Sequence, residues 1–372
     1  MRILVAPDKF KGSLGAREVA QNIAAGLREI LPAGKIDIIP LADGGEGTAE
    51  VLCDALSGKW VTMPAHDPLG RKIDARYAWI NNRKLAIMEM SEAAGMRRLQ
   101  PNERNLELTN TSGVGEMLAH AARRGAREII VGLGGSVTND GGFGMARALG
   151  FQFFDGENNE IETISALVLL ARIKPPKDLA LPKIIAAADV RNPLLGERGA
   201  TRVFSSQKGA TPEQIEILER ALTKLADMIG RDLGCDFRDF AGAGAAGGLG
   251  FGLMSFCGAI VQPGFDVVAE TIDLESKIKR VDLVITGEGS LDRQTLEGKA
   301  PAGVARLAKK FGKRVFAIVG RASDDREVLE IFDGVYVTTR PGMSENENMA
   351  HAAEFLREKA RELAKNCCSG DL

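Results

Sequence analysis

Residues 129–150 read IIVGLGGSVTNDGGFGMARALG. The β-branched opening Ile129-Ile130-Val131 has the character of the end of a buried strand. Six glycines follow between positions 132 and 144. Met145 to Leu149 reads as the start of a helix. Strand, glycine turn and helix N-terminus together present backbone N–H groups to an anion. Ser136, Thr138, Asn139 and Asp140 add small oxygen-bearing side chains suited to a phosphate, a hydroxyl or a hard cation. A glycine turn that merely joins a strand to a helix explains one such loop equally well. This chain has several, and together they favour a ligand.

Outward from this stretch the same alternation repeats. Residues 2–6 form a strand that runs into Pro7-Asp8-Lys9-Phe10-Lys11-Gly12-Ser13. A helix spans 16–30, with Val19, Ile23, Leu27 and Ile30 on one face. A strand at 36–39 leads into Asp43-Gly44-Gly45-Glu46-Gly47, and a helix spans 48–55. This is the opening of a parallel sheet with helices on its faces, in which ligands sit beyond the carboxyl ends of the strands. From 59 to 90 the pattern changes to strands at 60–62, 74–79 and 84–90 joined by tight turns, which is antiparallel character. The chain therefore crosses into a second domain near Ala65.

Further on come a helix at 113–124, a strand at 184–188 ending in Asp189, and an amphipathic helix at 212–230. The alanine–glycine run 241–250 precedes an apolar helix at 251–256. That run calls for close backbone packing or approach to a phosphate. A strand at 281–286 then ends in Gly287-Glu288-Gly289-Ser290-Leu291-Asp292. A helix at 301–310, strands at 314–319 and 334–337 and a helix at 348–365 close the chain. The expected architecture is α/β: a flavodoxin-like parallel-sheet domain from residues 1–65 and 278–372, with a second α/β domain of mixed sheet, 66–277, inserted in it.

The chain has 372 residues, net charge −2 and 45% hydrophobic residues. Interspersed charge offers no surface for nucleic acid or membranes. No apolar run approaches the roughly 20 residues of a membrane span. Five cysteines without a CxxC pair, and three dispersed histidines, exclude a zinc site and suit a reducing cytoplasm. The N-terminus enters a strand without the apolar segment of a signal peptide.

Acidic residues stand beside glycines at four groups of strand ends: Asp8, Asp43 with Glu46, Asp189, and Glu288 with Asp292. Any one alone is more often a cap or turn residue. Together with Lys11, Lys208 and Lys299 they supply what phosphoryl transfer needs: cations over phosphates and carboxylates for a metal or a nucleophile's proton. The GxxxxGK[ST] loop, the full GxGxxG spacing and the GxSxG elbow are missing.

Seven motifs, in order over nearly the whole chain, resemble the glycerate 2-kinase family, the bacterial type-1 glycerate kinases. They are PDKFKGS at 7–13, ADGGEGT at 42–48, GLGGSVTNDGG at 132–142, ADVRNPL at 188–194, QKGA at 207–210, GAGAAGGLG at 242–250 and TGEGSLD at 286–292 with its GK at 298–299. The tail after Asn366, CCSGDL, matches nothing in that pattern. The resemblance implies ATP-dependent phosphorylation of D-glycerate to 2-phosphoglycerate with Mg²⁺, in a cleft between the domains. It implies small-molecule partners and leaves the oligomeric state open.

On that resemblance Asp189 is the expected base, with Lys11 and Lys299 offsetting phosphate charge. Asp8, Asp43, Glu46, Arg71 and Arg191 are the substrate-binding candidates, one arginine pairing the substrate carboxylate. Gly134, Gly135, Ser136, Asn139 and Gly287 are expected at the nucleotide, and Asp43, Glu288 and Asp292 at the metal. Rival readings are a kinase for another hydroxy acid, a non-catalytic sensor of a sugar acid or nucleotide, and a nicotinamide-dependent reductase.

Overall fold

The computed structural model describes residues 1–369, save the side chains of Glu297, Cys368 and Ser369. The last three residues of the CCSGDL tail lie outside the described residues. The chain forms two compact units. Unit 1 takes Met1–Asp43 and the chain from Gly264 onward; unit 2 is Gly44–Pro263.

Unit 1 is built on a five-stranded, wholly parallel sheet. Its order is Gly334–Val337, Arg314–Val319, Leu283–Thr286, Arg2–Val5, Lys35–Ile38. Numbered within the unit this is 2-1-3-4-5, the flavodoxin-like order, with its switch point between Arg2–Val5 and Leu283–Thr286. The three central strands are short, mostly apolar runs, as burial on both faces demands, while the edge strands Lys35–Ile38 and Gly334–Val337 stay partly exposed. Helix Ala16–Ile30, with its apolar stripe Val19, Ile23 and Leu27, packs with Ala352–Ser369 on one core. Gly26 makes that approach possible: a Cβ there would lie 2.3 Å from the carbonyl oxygen of Arg357. The expected single closing helix is two, Glu345–Ala350 and Ala352–Ser369, parted at His351.

Unit 2 carries a six-stranded mixed sheet of order Ile260–Gln262, Lys183–Ala187, Glu128–Gly132, Leu85–Glu89, Lys72–Ile80, Lys59–His66. The first four are parallel, and the last two join antiparallel. The expected antiparallel character is present, yet Leu85–Glu89 also pairs parallel with Glu128–Gly132. The longest helix, Pro212–Leu233, starts at a Thr211 capping box with Pro at its first turn.

The chain crosses between units at 43/44 and 263/264, not at 65/66 and 277/278. Helix Thr48–Ala55 belongs to unit 2 because the carboxylate of Glu89, on a central strand, accepts from the N–H groups of Gly47 and Ala49 at its start, both at 2.9 Å. Helix Gly264–Thr271 belongs to unit 1 because the ring of Phe265 lies against Gly303 of helix Ala300–Lys310, 2.2 Å from where a Cβ would stand. Composition marked the change to antiparallel texture, but the crossing precedes it by a helix.

Gly26→Leu should force the two helices apart and cost about 1–3 kcal/mol or more. Thermal denaturation of the purified variant checks this, and a melting temperature equal to wild type would contradict the packing.

Candidate active site

Beyond the carboxyl ends of the unit 1 strands, the backbone ladder continues into the loops. The N–H of Leu41 donates to Pro7 O (2.8 Å), that of Asp8 to Gly287 O (2.8 Å), that of Gly320 to Glu288 O (3.1 Å), and that of Thr339 to Gly320 O (3.0 Å). Five strand ends are thereby tied into a floor. Gly287 is needed there, since a Cβ would sit 2.1 Å from Ile318 O. Over this floor lies a cavity of about 610 Å³. Asp8, Lys11, Asp43, Glu288 and Lys299 line it, so five residues singled out from the sequence meet in one place. It sits at the switch point, where open parallel sheets hold their ligands.

The cavity brings acidic and basic side chains close together. Burial first, and then the charge of Asp43, push the Asp8 carboxyl up to about 7; Lys9 pulls the other way, and Glu288 adds to the push. Burial also raises Glu288, opposed by the Thr295 hydroxyl and by Lys299, with Asp292 and Asp43 raising it further. Thr295 Oγ1 donates to Glu288 Oε1 at 2.6 Å. Lys299 Nζ stands 3.7 Å from Glu288 Oε2 and 3.8 Å from Asp292 Oδ1. Asp292 caps the short turn Arg293–Glu297 by accepting from Gln294 N–H at 2.9 Å. Among the described residues no three His, Cys, Asp or Glu side chains converge tightly enough to hold a metal by themselves.

The glycine loops of unit 2 make close contacts within that unit. The central loop does lead from strand Glu128–Gly132 to a helix, the short Phe143–Ala148. Its helix start is already filled by an anion, the side chain of Asp140. This buried carboxylate accepts from the N–H groups of Gly142 (3.1 Å), Gly144 (3.0 Å) and Thr111 (2.8 Å) and from Thr111 Oγ1 (2.8 Å). Asn139 is fully buried and donates to Thr201 Oγ1. A Cβ at Gly134 would lie 2.7 Å from Gly45 Cα, and one at Gly135 2.6 Å from Glu46 Oε1, so these two glycines let loop meet loop. Ser136 Oγ and Thr138 O both accept from Lys208 Nζ at 2.7 Å. The alanine–glycine run resolves to close packing: Ala246, Gly247 and Gly248 are left-handed, and a Cβ at Gly247 would lie 2.0 Å from Thr138 O.

Arg71 is not an open fork for a carboxylate. Its guanidinium donates to Asp67 and to Glu103, each at 2.6 Å, and to Arg98 O. Asp189 stands half-buried just past strand Lys183–Ala187, and Arg191 beside it is exposed. Asp189, Arg191, Glu46 and the Gly134–Asn139 loop belong to unit 2, and the residues that line the cavity belong to unit 1.

The glycerate kinase family model matches residues 3–368. The chain belongs to the glycerate kinase family. It is 39% identical to a glycerate kinase of Bacillus subtilis (strain 168), covering 98% of this chain and 97% of that protein. It is 42% identical to the glycerate 2-kinase of Escherichia coli (strain K12), covering 88% and 87% respectively. A crystal structure from Salmonella typhimurium LT2, given as a candidate glycerate kinase 2, matches with a TM-score of 0.89 at 42% identity. That match covers 100% of this chain and 99% of the other.

Reading the family motifs alone missed half of the cavity wall. Arg321, Thr338, Thr339, Met343 and Met349 also line it. The strands at 314–319 and 334–337 were legible, and the carboxyl-end rule applied to them points to Arg321 and Thr338. The buried state of Lys208 carried no such signal. No helix is long and apolar enough to cross a membrane among the described residues, and no disulfide links the described cysteines.

Two pH dependences follow. Folded Asp8 keeps its proton to about pH 7, whereas its ordinary value is 3.8, so the folded state binds more protons between these limits. Stability therefore falls as pH rises from about 4 to 7, and the loss persists above. Asp8→Asn should melt roughly 3–6 °C above wild type at pH 8, with the gap closing towards pH 4. Lys208 is the mirror case. Burial lowers it from 10.5 to about 7, so the unfolded chain binds more protons in that interval and stability rises with pH across it. Lys208→Met should flatten that alkaline rise in a melting series from pH 7 to 10; an unchanged slope would contradict the burial of the amine.

Proposed function

We propose that the chain transfers the γ-phosphoryl group of ATP to the 2-hydroxyl of D-glycerate, giving 2-phosphoglycerate and ADP, in the cytoplasm. The observation that carries this reading is the meeting of Asp8, Asp43, Glu288, Lys11 and Lys299 in one cavity at the sheet's switch point. The name of the Escherichia coli relative supports the position of transfer.

In this reading Lys11 and Lys299 face the phosphate oxygens and lower the repulsion that resists approach of the hydroxyl. The bond from O2 to the γ-phosphorus forms as the bridge to the β-phosphate breaks, and the hydroxyl proton passes to a carboxylate. Asp43 and Glu288 are hard oxygen donors that repel one another, and the donor set fits Mg²⁺, which is commonly held by one or two carboxylates with substrate phosphates completing the shell. When bound, the ion would offset charge on the transferring phosphoryl group.

Two carboxylates contend for the base. Asp189 has its motif as support. Asp8 has its burial and a pKa near the working pH, the setting general-base catalysis favours. Asp8→Asn is expected to lower kcat by about 10²-fold or more, with Asp189→Ala as the matched comparison. A loss of that size from Asp189→Ala alone would return the role to Asp189.

The activity itself is tested by incubating purified protein with ATP, Mg²⁺ and D-glycerate and resolving the products by phosphorus NMR. The expected product is 2-phosphoglycerate. A 3-phosphoglycerate product would overturn the regiochemistry, and ATP binding without turnover would favour another hydroxy acid.

A further inference from the structure

The unit 1 cavity is far larger than a three-carbon acid requires, and its wall changes character along the sheet. Asp43, Asp8 and Glu288 follow the strands at the Lys35–Ile38 side and the centre. Cations come next: Lys299 within 3.7 Å of Glu288, and Arg321, whose Nε donates to Ser290 Oγ at 3.1 Å. At the far side, beyond Gly334–Val337, the lining is mostly uncharged: Thr338, Thr339, Met343, Asn348 and Met349, with Phe10 also in the wall and Glu345 the one acid of helix Glu345–Ala350 that reaches it.

That far end is built rather than incidental. Ser13 Oγ donates to Met349 O at 2.9 Å, tying the Pro7–Ser13 loop to helix Glu345–Ala350. The Met349 side chain reaches back over the same loop, its Cε 3.6 Å from the Cβ position of left-handed Gly12. Phe10 and Thr338 are buried while Met343 and Met349 are half-exposed, leaving apolar surface open to the cavity. Acid, then cation, then a largely uncharged wall of methionine and threonine is an order complementary to a metal-bound phosphoryl group, a polyphosphate chain and a nucleobase.

We propose that this largely uncharged end is the seat of the purine base, with the triphosphate running past Arg321, Lys11 and Lys299 towards Asp8 and Glu288. The proposal rests on the reading of the chain as an ATP-dependent kinase, and it places the nucleotide on unit 1 and not on the Gly134–Asn139 loop. The methionines supply polarizable, adaptable contacts to a heteroaromatic face. The Thr339 hydroxyl, which donates to Gly320 O, keeps lone pairs to accept from the base's amino group.

The test uses the full chain and a fluorescent N-methylanthraniloyl-ATP titration, alongside steady-state kinetics with ATP and D-glycerate. Met349→Glu, Met343→Glu and Thr339→Glu each set a negative charge at the seat. Thr339 is exposed but its hydroxyl donates to Gly320 O, so circular dichroism and thermal denaturation check that all three variants fold. The expected result is nucleotide affinity weakened about tenfold or more and a matching rise in KM for ATP, with KM for glycerate within about twofold. Unchanged nucleotide binding in folded Thr339→Glu and Met349→Glu would overturn the seat alone. A rise confined to KM for glycerate would give this end to the acid and overturn it equally. Wild-type protein that binds no ATP would overturn the kinase reading and the seat together.

Discussion

The N–H of Asp8 donates to the carbonyl of Gly287, and the rest of unit 1 depends on that bond. It extends the pairing of Arg2–Val5 with Leu283–Thr286 past the end of the sheet. Thr286 Oγ1 reinforces it by donating to Ala6 O at 2.8 Å, across 280 residues of sequence. Two acidic side chains that would drift apart in a flexible loop are thus held side by side. Their burial and mutual repulsion are sustained by backbone hydrogen bonds and parallel-sheet packing, so the strain falls on protonation and not on geometry. A cavity that keeps like charges close is prepared for a cation or for a proton in transit.

Unit 2 shows another use of the same chemistry. Glu89 at the start of Thr48–Ala55 and Asp140 at the start of Phe143–Ala148 are internal anions, each taking N–H groups that a phosphate would otherwise seek. Burial raises the pKa of both carboxylates, and the backbone donors pull the other way. Glycine turns beside helix starts are therefore ambiguous in sequence: the motif states that an anion belongs there, and only the fold says whether the protein brings its own.

This ambiguity marks how far the sequence was readable. Strand and helix positions were legible because apolar periodicity and turn residues agree locally; helices 16–30 and 48–55 fall at the expected residues. Asp8, Asp43 and Glu288 were legible because they follow strands, and parallel sheets collect strand ends. The role of the Gly134–Asn139 loop was harder to read because Gly134 and Gly135 make their close contacts with Gly45 and Glu46, residues distant in sequence. That of Arg71 was harder because its partners, Asp67 and Glu103, look like ordinary surface acids. The unit boundary was displaced because one long-range carboxylate, Glu89, decides which side claims helix Thr48–Ala55.

The sheet of unit 1 sets two strands from the start of the chain beside three from its end, and this fixes an order of events at the ribosome. Arg2–Val5 and Lys35–Ile38 are made early, but their central neighbour Leu283–Thr286 emerges about 280 residues later, on the order of tens of seconds at 5–20 residues per second. Unit 2 is contiguous and can complete its own core during that interval. The first strands wait with one edge unpaired, the state most open to mispairing with another nascent chain. Their brevity, four residues each, limits that exposure until the second half of the sheet arrives.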